Sequence, residues 1–182
     1  MQDYTLNPKY PLKDTQNEGV DFLLHRKSAI LGFQTGLGKT LCALTAGSHV
    51  LMKYPDTHLV ILCPASANKA FYKELQHKLN LPFSRFTTEE IYNDPNARVS
   101  LYNFSSLYKY TDDIRDLAQN KKLVLIMDEG HTIANDGTQQ IKIVQAIKPQ
   151  FKIIWSLTAT PLLNHIEGLF NQMDFLIPVT VS

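Results

Sequence analysis

The chain is 182 residues long, 44% hydrophobic and 19% charged, with a formal net charge of +1. Such length and apolar content fit one α/β domain with a sizeable core and exclude disorder and collagen-like bias. The near-zero charge removes any global basic field, so contact with nucleic acid has to rest on local groups.

In chain order, Asp14 or Thr15 is placed to cap a first helix whose apolar positions Val20, Phe22, Leu23 and Leu24 fall on one side. "SAILGF" (28–33) reads as a buried strand. A helix over 39–53 follows two glycines and exits at Pro55, and "HLVILC" (58–63) is a second apolar run ended by Pro64. Ser66 is the expected cap of a helix over about 67–79. A weak strand at 83–86, a stronger one in "RVSLYNF" (98–104), a polar helix over 111–120 and the strand "KLVLIM" come next. A short helix over 138–147, the strand "FKIIWSL" (151–157) and a last helix in "HIEGLFNQMDFL" complete the chain. Near-continuous apolar strands separated by helices predict a mainly parallel sheet covered on both faces, with the ligand crevice outside the carboxyl ends of the strands.

No linker, repeat or low-complexity tract interrupts this pattern, so a single domain is expected. Cys42 and Cys63 lie twenty-one positions apart without C-x-x-C spacing and read as small buried hydrophobes of a reducing compartment. No signal-peptide core and no eighteen-residue apolar run occurs, so a soluble intracellular protein, cytoplasmic or nuclear and without membrane contact, is expected.

The chemistry concentrates after strands. In "LGFQTGLGKTLCAL", Thr35, Gly36, Leu37 and Gly38 join an apolar strand to a helix that opens with Lys39 and Thr40. Backbone N–H groups of such a loop form a concave nest, the helix start adds its dipole, and glycines let the backbone approach a phosphate closely. Lys39 would neutralise β- and γ-phosphates, and the Thr40 hydroxyl would be offered to Mg²⁺, which then needs a carboxylate from elsewhere. The general pattern G-x-x-x-x-G-K-[ST] places glycine where this chain has Phe33, so the match is partial; on its own, "GLGKT" also fits an ordinary strand-to-helix turn. The carboxylate appears in "LIMDEGH": Asp128, directly after an apolar strand, stands where a direct or indirect Mg²⁺ partner is needed, and Glu129 can polarise the attacking water. A pair of acidic residues capping a loop is the plainer alternative. On spacing alone, His131 reads as a structural, hydrogen-bonded histidine, and the other histidines, including His58, read as surface or cap residues.

Together the motifs resemble those of helicase superfamily 2 ATPases, most closely the Swi/Snf-type DNA-translocating branch. "LKDTQNEGVDFL" resembles that branch's opening motif, with Gln16 at the adenine-reading position. "QTGLGKT" resembles its motif I, whose family version also lacks the first glycine, and "DEGH" its motif II. "SLTATPLLNHIEGLFNQMDFLIP" is similar to the stretch through motif III that ends the family's first motor lobe. The resemblance runs from about Leu12 to Pro178 and implies a RecA-like P-loop domain. It also implies that His131 links the γ-phosphate site to Thr158 and Thr160, that Pro64, Ala65 and Ser66 touch a nucleic-acid backbone, and that "LYNFSSL", with Asn103 and Ser105, is the next contact. Duplex DNA is the implied track.

Family members bind ATP between two RecA-like lobes, and an arginine from the second reaches the γ-phosphate. The resemblance therefore implies that residues 1–182 form one lobe, that the second lobe is absent from this chain, and that the chain alone is nearly inactive. Because the opening motif starts about a dozen residues from Met1, no large N-terminal accessory domain is expected in the parent. Two other readings stay open: a truncated module that binds nucleotide or a partner without turnover, and an unrelated P-loop kinase, for which no acceptor pocket or arginine-rich lid is visible.

Overall fold

The structure is a computed structural model that describes residues 10–78, 84–86, 91–92, 97–130 and 139–159, together with Met173 and Leu176. Its helices are α1 (Asp14–Leu24), α2 (Lys39–Lys53), α3 (Asn68–His77), α4 (Thr111–Asn120) and α5 (Gln139–Ile147). The strands are β1 (Ser28–Gly32), β2 (Thr57–Cys63), β3 (Ser84–Phe86), β4 (Ile91–Tyr92), β5 (Val99–Asn103), β6 (Lys122–Asp128) and β7 (Phe151–Thr158). They form one sheet in the order β1-β7-β6-β2-β5-β3-β4, parallel throughout except for the β3–β4 pair.

The strands are apolar on both sides because both faces are covered. Leu59, Ile61 and Cys63 of β2 join Leu23 of α1, Leu44 and Leu51 of α2 and Phe71 and Leu75 of α3 in one core. The alternate residues Val60 and Leu62 pack with Ile114 of α4 and Val144 and Ile147 of α5 in the other, as the two-residue period of a strand requires. Truncating a wholly buried Leu here, such as Leu59 or Leu125, would cost about 2–5 kcal/mol. Cys42 and Cys63 lie in the first core; burial pushes the Cys42 thiol up to about 11. Trp155 is buried in the sheet, and its Nε1 donates to Arg26 O at 3.0 Å.

Several details depart from the sequence expectation. Strand β4 was not foreseen, since two residues carry no readable period. The cap of α1 is Lys13 rather than Asp14 or Thr15: Lys13 N donates to Gln16 Oε1 at 3.0 Å, one half of a capping box, while Gln16 N donates to the main-chain Lys13 O at 2.9 Å because the ammonium side chain has no acceptor to offer. Ser66 does not cap α3; a 3₁₀ turn, Ala65–Ala67, intervenes, closed by Ala67 N donating to Pro64 O at 2.9 Å. The expected strand 98–104 stops at Asn103, and Phe104–Lys109 turn into 3₁₀ helix. The last expected helix lies outside the described residues except at Met173 and Leu176, both helical.

His58 is the clearest correction. It is 4% exposed, not a surface residue, and its Nε2 lies 2.8 Å from Ser100 Oγ on the neighbouring strand. Burial, with Lys121 and Arg98 adding to it, pushes His58 down to about 4. Arg98 itself ties the end of α2 to the start of β2, donating to the carbonyls of Leu51 (2.9 Å) and Tyr54 (2.7 Å), which the helix terminus leaves without intrahelical partners, and to that of Thr57 (3.1 Å), the first residue of β2.

Candidate functional site

The residues singled out in the sequence gather at the carboxyl ends of β1, β7, β6, β2 and β5. In the parallel register Gly32 of β1 stands opposite Thr158 of β7, and Asp128 of β6 opposite Leu157 of the same strand. Thus β7 separates the glycine loop from the acidic pair, with the buried Thr158 at its tip.

After Gly32, Phe33 and Gln34 lead into a turn in which Leu37 N donates to Gln34 O at 3.3 Å. Gly36 and Gly38 both have φ of +85°, and among the described residues only Glu129 is a non-glycine with positive φ. Leu37 therefore takes the opposite sign between them, the alternation that turns successive N–H groups toward one concavity. Gly38 is the N-cap of α2. A side chain at Gly38 would also overlap the Gln16 amide, so two independent constraints select glycine there. Thr35, Gly36 and Leu37 are exposed, Thr40 is half-buried, and Lys39 is only 8% exposed. Lys39 Nζ donates to Phe33 O at 2.9 Å, across the mouth of the loop. Gln16 supports the loop from α1, its Nε2 donating to Leu37 O at 3.1 Å.

On the other side of β7, Asp128 is 9% exposed. Burial, reinforced by Glu129 and opposed by Lys39, pushes its carboxyl up to about 6. A carboxylate held in so poor a solvent for negative charge suits a divalent cation, which would offset the burial. Glu129 follows in a left-handed conformation with φ of +51°, uncommon for a residue with a side chain. Gly130 explains the tight turn: a Cβ there would overlap Ser156 Oγ and lie 3.1 Å from Ser156 Cβ. The hydroxyl of Ser156, 1% exposed, occupies the volume that glycine vacates. His131 and Thr160 lie outside the described residues.

The loops after β2 and β5 form the other flank. Pro64 is half-buried while Ala65 and Ser66 are exposed; Asn103 is half-buried and Ser105 exposed. The two strands pair in parallel with Cys63 opposite Asn103, so both loops leave the sheet side by side. The aromatic residues here divide: Tyr102 and Phe104 are core, Tyr102 stacking on Tyr110 with ring centroids 5.1 Å apart, whereas Tyr108 is 55% exposed.

Sequence reasoning missed Ser156, Ser100 and Asn68, all of them buried polar groups in or beside apolar runs. The available signal was the polar residue itself, since a buried strand seldom carries a hydroxyl or imidazole without a partner or a steric task.

A family model described as the SNF2-related domain matches residues 15–182. The ATP-dependent helicase FUN30 of Saccharomyces cerevisiae is 27% identical, over 95% of this chain and 16% of its own length. A protein of Acanthamoeba polyphaga mimivirus, whose name describes an ATP-dependent RNA helicase, is 29% identical over 92% of this chain and 32% of its own length. The Sulfolobus solfataricus SWI2/SNF2 ATPase core in complex with double-stranded DNA superposes with a TM-score of 0.78 at 24% identity, over 98% of this chain and 38% of that one. The shared fold is RecA-like. The chain thus spans 16% and 32% of these two curated relatives, and no helix among the described residues is long and apolar enough to cross a membrane.

Proposed function

The chain belongs to the SNF2-related domain family, and we propose that residues 1–182 are a single RecA-like lobe, the first motor lobe of a DNA-dependent ATPase. Joined to a second lobe, in the same parent chain or supplied separately, it couples ATP hydrolysis to movement on duplex DNA. The observation that carries this reading is the buried Lys39 beneath a loop with two left-handed glycines, set across one strand from the buried Asp128.

The roles follow from the groups available. N–H groups of Thr35 to Lys39 and the start of α2 bind phosphate oxygens. Lys39 exchanges the Phe33 carbonyl for the β- and γ-phosphates, gaining a charged partner for a neutral one. Gln16 keeps one N–H on Leu37 O and offers the other to adenine. Thr40 and Asp128 are the residues that would hold Mg²⁺. When bound, the ion neutralises charge on the phosphate oxygens. Glu129 orients and deprotonates the attacking water from its left-handed turn. Thr158, with His131 and Thr160, relays the state of the phosphate site toward the loops of Pro64–Ser66 and Asn103–Ser105, which contact the DNA backbone through hydroxyls and N–H groups. An arginine from the second lobe completes the site.

The test is Mg²⁺-dependent ATP binding and steady-state hydrolysis by the chain, with and without duplex DNA or single-stranded RNA, beside Lys39→Ala and Glu129→Gln. Binding should be lost in Lys39→Ala and kept in Glu129→Gln. Turnover should be negligible throughout, because a missing arginine finger removes a factor of about 10³–10⁵. Equal binding by Lys39→Ala would remove the phosphate role, and brisk DNA-stimulated turnover would show that no second lobe is needed. A preference for RNA over duplex DNA would replace the substrate.

A further inference from the structure

Behind the exposed Ser66 and Ser105 a hydrogen bond joins their two loops. Asn68, the first residue of α3, donates from Nδ2 to Asn103 Oδ1 at the end of β5, at 2.7 Å and 35 positions away in sequence. Asn68 is 3% exposed, and its own Oδ1 meets no donor among the described residues. A buried amide with an orphan acceptor costs stability that an aliphatic side chain in the same place would not. The contribution of Asn68 is therefore one of placement.

That placement is specific. Pro64 to Ala67 fold into a 3₁₀ turn leading directly to Asn68, and Asn103 precedes a second 3₁₀ turn, Phe104–Lys109. Asn103 O also accepts a long bond, 3.4 Å, from Ser106 Oγ. The bond thus ties the far end of one turn to the near end of the other, across strands already in register at Cys63 and Asn103. With Oδ1 committed to Asn68, Asn103 serves the second loop by holding it.

We propose that Asn68 is a positioning residue that clamps the loops after β2 and β5 into one ledge, so that Ser66 and Ser105 meet a single nucleic-acid backbone together. The inference rests on the nucleic-acid reading of these loops. Phosphate contacts fix register through geometry more than through charge, so a chain with almost no net charge gains most from loops held at a fixed separation.

The experiment compares wild type with Asn68→Ala, Asn103→Ala and Ser66→Ala by amide hydrogen exchange of the free protein and by duplex DNA binding at several salt concentrations. Either asparagine variant should speed exchange in both 64–69 and 103–109, and should weaken DNA binding roughly three- to tenfold with the salt slope unchanged, because no cationic group is removed. Ser66→Ala should weaken binding without altering exchange in 103–109. Asn103→Ala opens the bond from its half-buried side, so the test survives if Asn68→Ala fails to fold. Exchange that rises only in the mutated segment would overturn the clamp, as would DNA binding that weakens with no change of exchange in the partner loop, the mark of an asparagine that touches the backbone itself. If wild type binds no duplex even at low salt, the nucleic-acid reading fails, while the exchange result still decides whether the clamp exists.

Discussion

Replacing His58 with Gln should reverse part of the acid response of the fold. The buried imidazole is held down to about 4, against an ordinary value of 6.5. A histidine depressed in the folded state gives stability that is fully present above 6.5 and is lost as pH falls through the folded value. At pH 5 the unfolded chain holds this proton almost completely and the folded chain about a tenth of the time, a difference of about 2 kcal/mol relative to pH 7.5. Asp128 works in the opposite sense: raised from 3.8 to about 6, it gives stability present below 3.8 and lost as pH rises through 6. Acidification to pH 5 therefore returns about 1 kcal/mol, so that Asp128 offsets part of the His58 loss in wild type. For a chain of this size 1 kcal/mol moves Tm by about 2–4 °C, so the change in Tm between pH 7.5 and 5 should differ between wild type and His58→Gln by about 4–8 °C. Thermal unfolding followed by circular dichroism at both pH values measures it. Gln is neutral and can still reach Ser100, and comparing changes with pH removes any constant repacking cost. Parallel pH responses in the two proteins would mean that His58 does not titrate as a buried neutral group, and the argument from its burial would be wrong.

Asp128→Asn removes a charge that burial opposes, so at pH 8 it should raise Tm by up to about 6–12 °C, from about 3 kcal/mol, an advantage that fades toward pH 4; Mg²⁺-dependence of nucleotide binding should disappear with it. A destabilised Asp128→Asn at pH 8 would contradict the burial argument. Gly130→Ala should cost about 1–3 kcal/mol in urea unfolding, the usual penalty of overpacking. Ser156→Ala should restore part of it by removing the nearer of the two clashing atoms, and strictly additive effects in the double variant would deny the contact. Gly38→Ala combines positive φ with an overlap on Gln16; a fluorescent-nucleotide titration should show weakened binding, and undiminished affinity would mean that the loop tolerates a side chain.

Much of the fold could be read from the sequence because most strands of a doubly covered parallel sheet are continuous apolar runs, and six of the seven, all but β4, were found within a residue or two of their observed bounds. The glycine loop was readable for a related reason: the turn at Gly36 and Gly38 and the start of α2 at Lys39 follow from spacing along the chain, and local spacing survives without knowledge of the fold. The groups that stayed hidden act across the chain. His58 and Ser100 are 42 residues apart, and Asn68 and Asn103 are 35 apart. Each polar residue was visible, but its partner depends on β2 lying beside β5, and apolar runs that look alike carry no strand order.

Strand order also determines what Lys39 and Asp128 can do. Were β1 and β6 neighbours, a buried lysine and a buried carboxylate at adjacent strand ends would close on each other as an ion pair, and the glycine loop would have no cation to spare. Instead β7 stands between them, a separation of two strand spacings or about 10 Å. Lys39 accordingly rests on the Phe33 carbonyl, and Asp128 keeps a raised proton affinity that Lys39 only partly offsets. Each group is under-compensated in the direction that a polyphosphate with its cation would relieve: among the described residues the ammonium forms no ion pair, and the carboxylate lacks a full positive charge. The strand that enforces this separation ends in Thr158, buried between the two. A ligand that drew Lys39 and Asp128 toward a common set of phosphate oxygens would therefore act across the tip of β7.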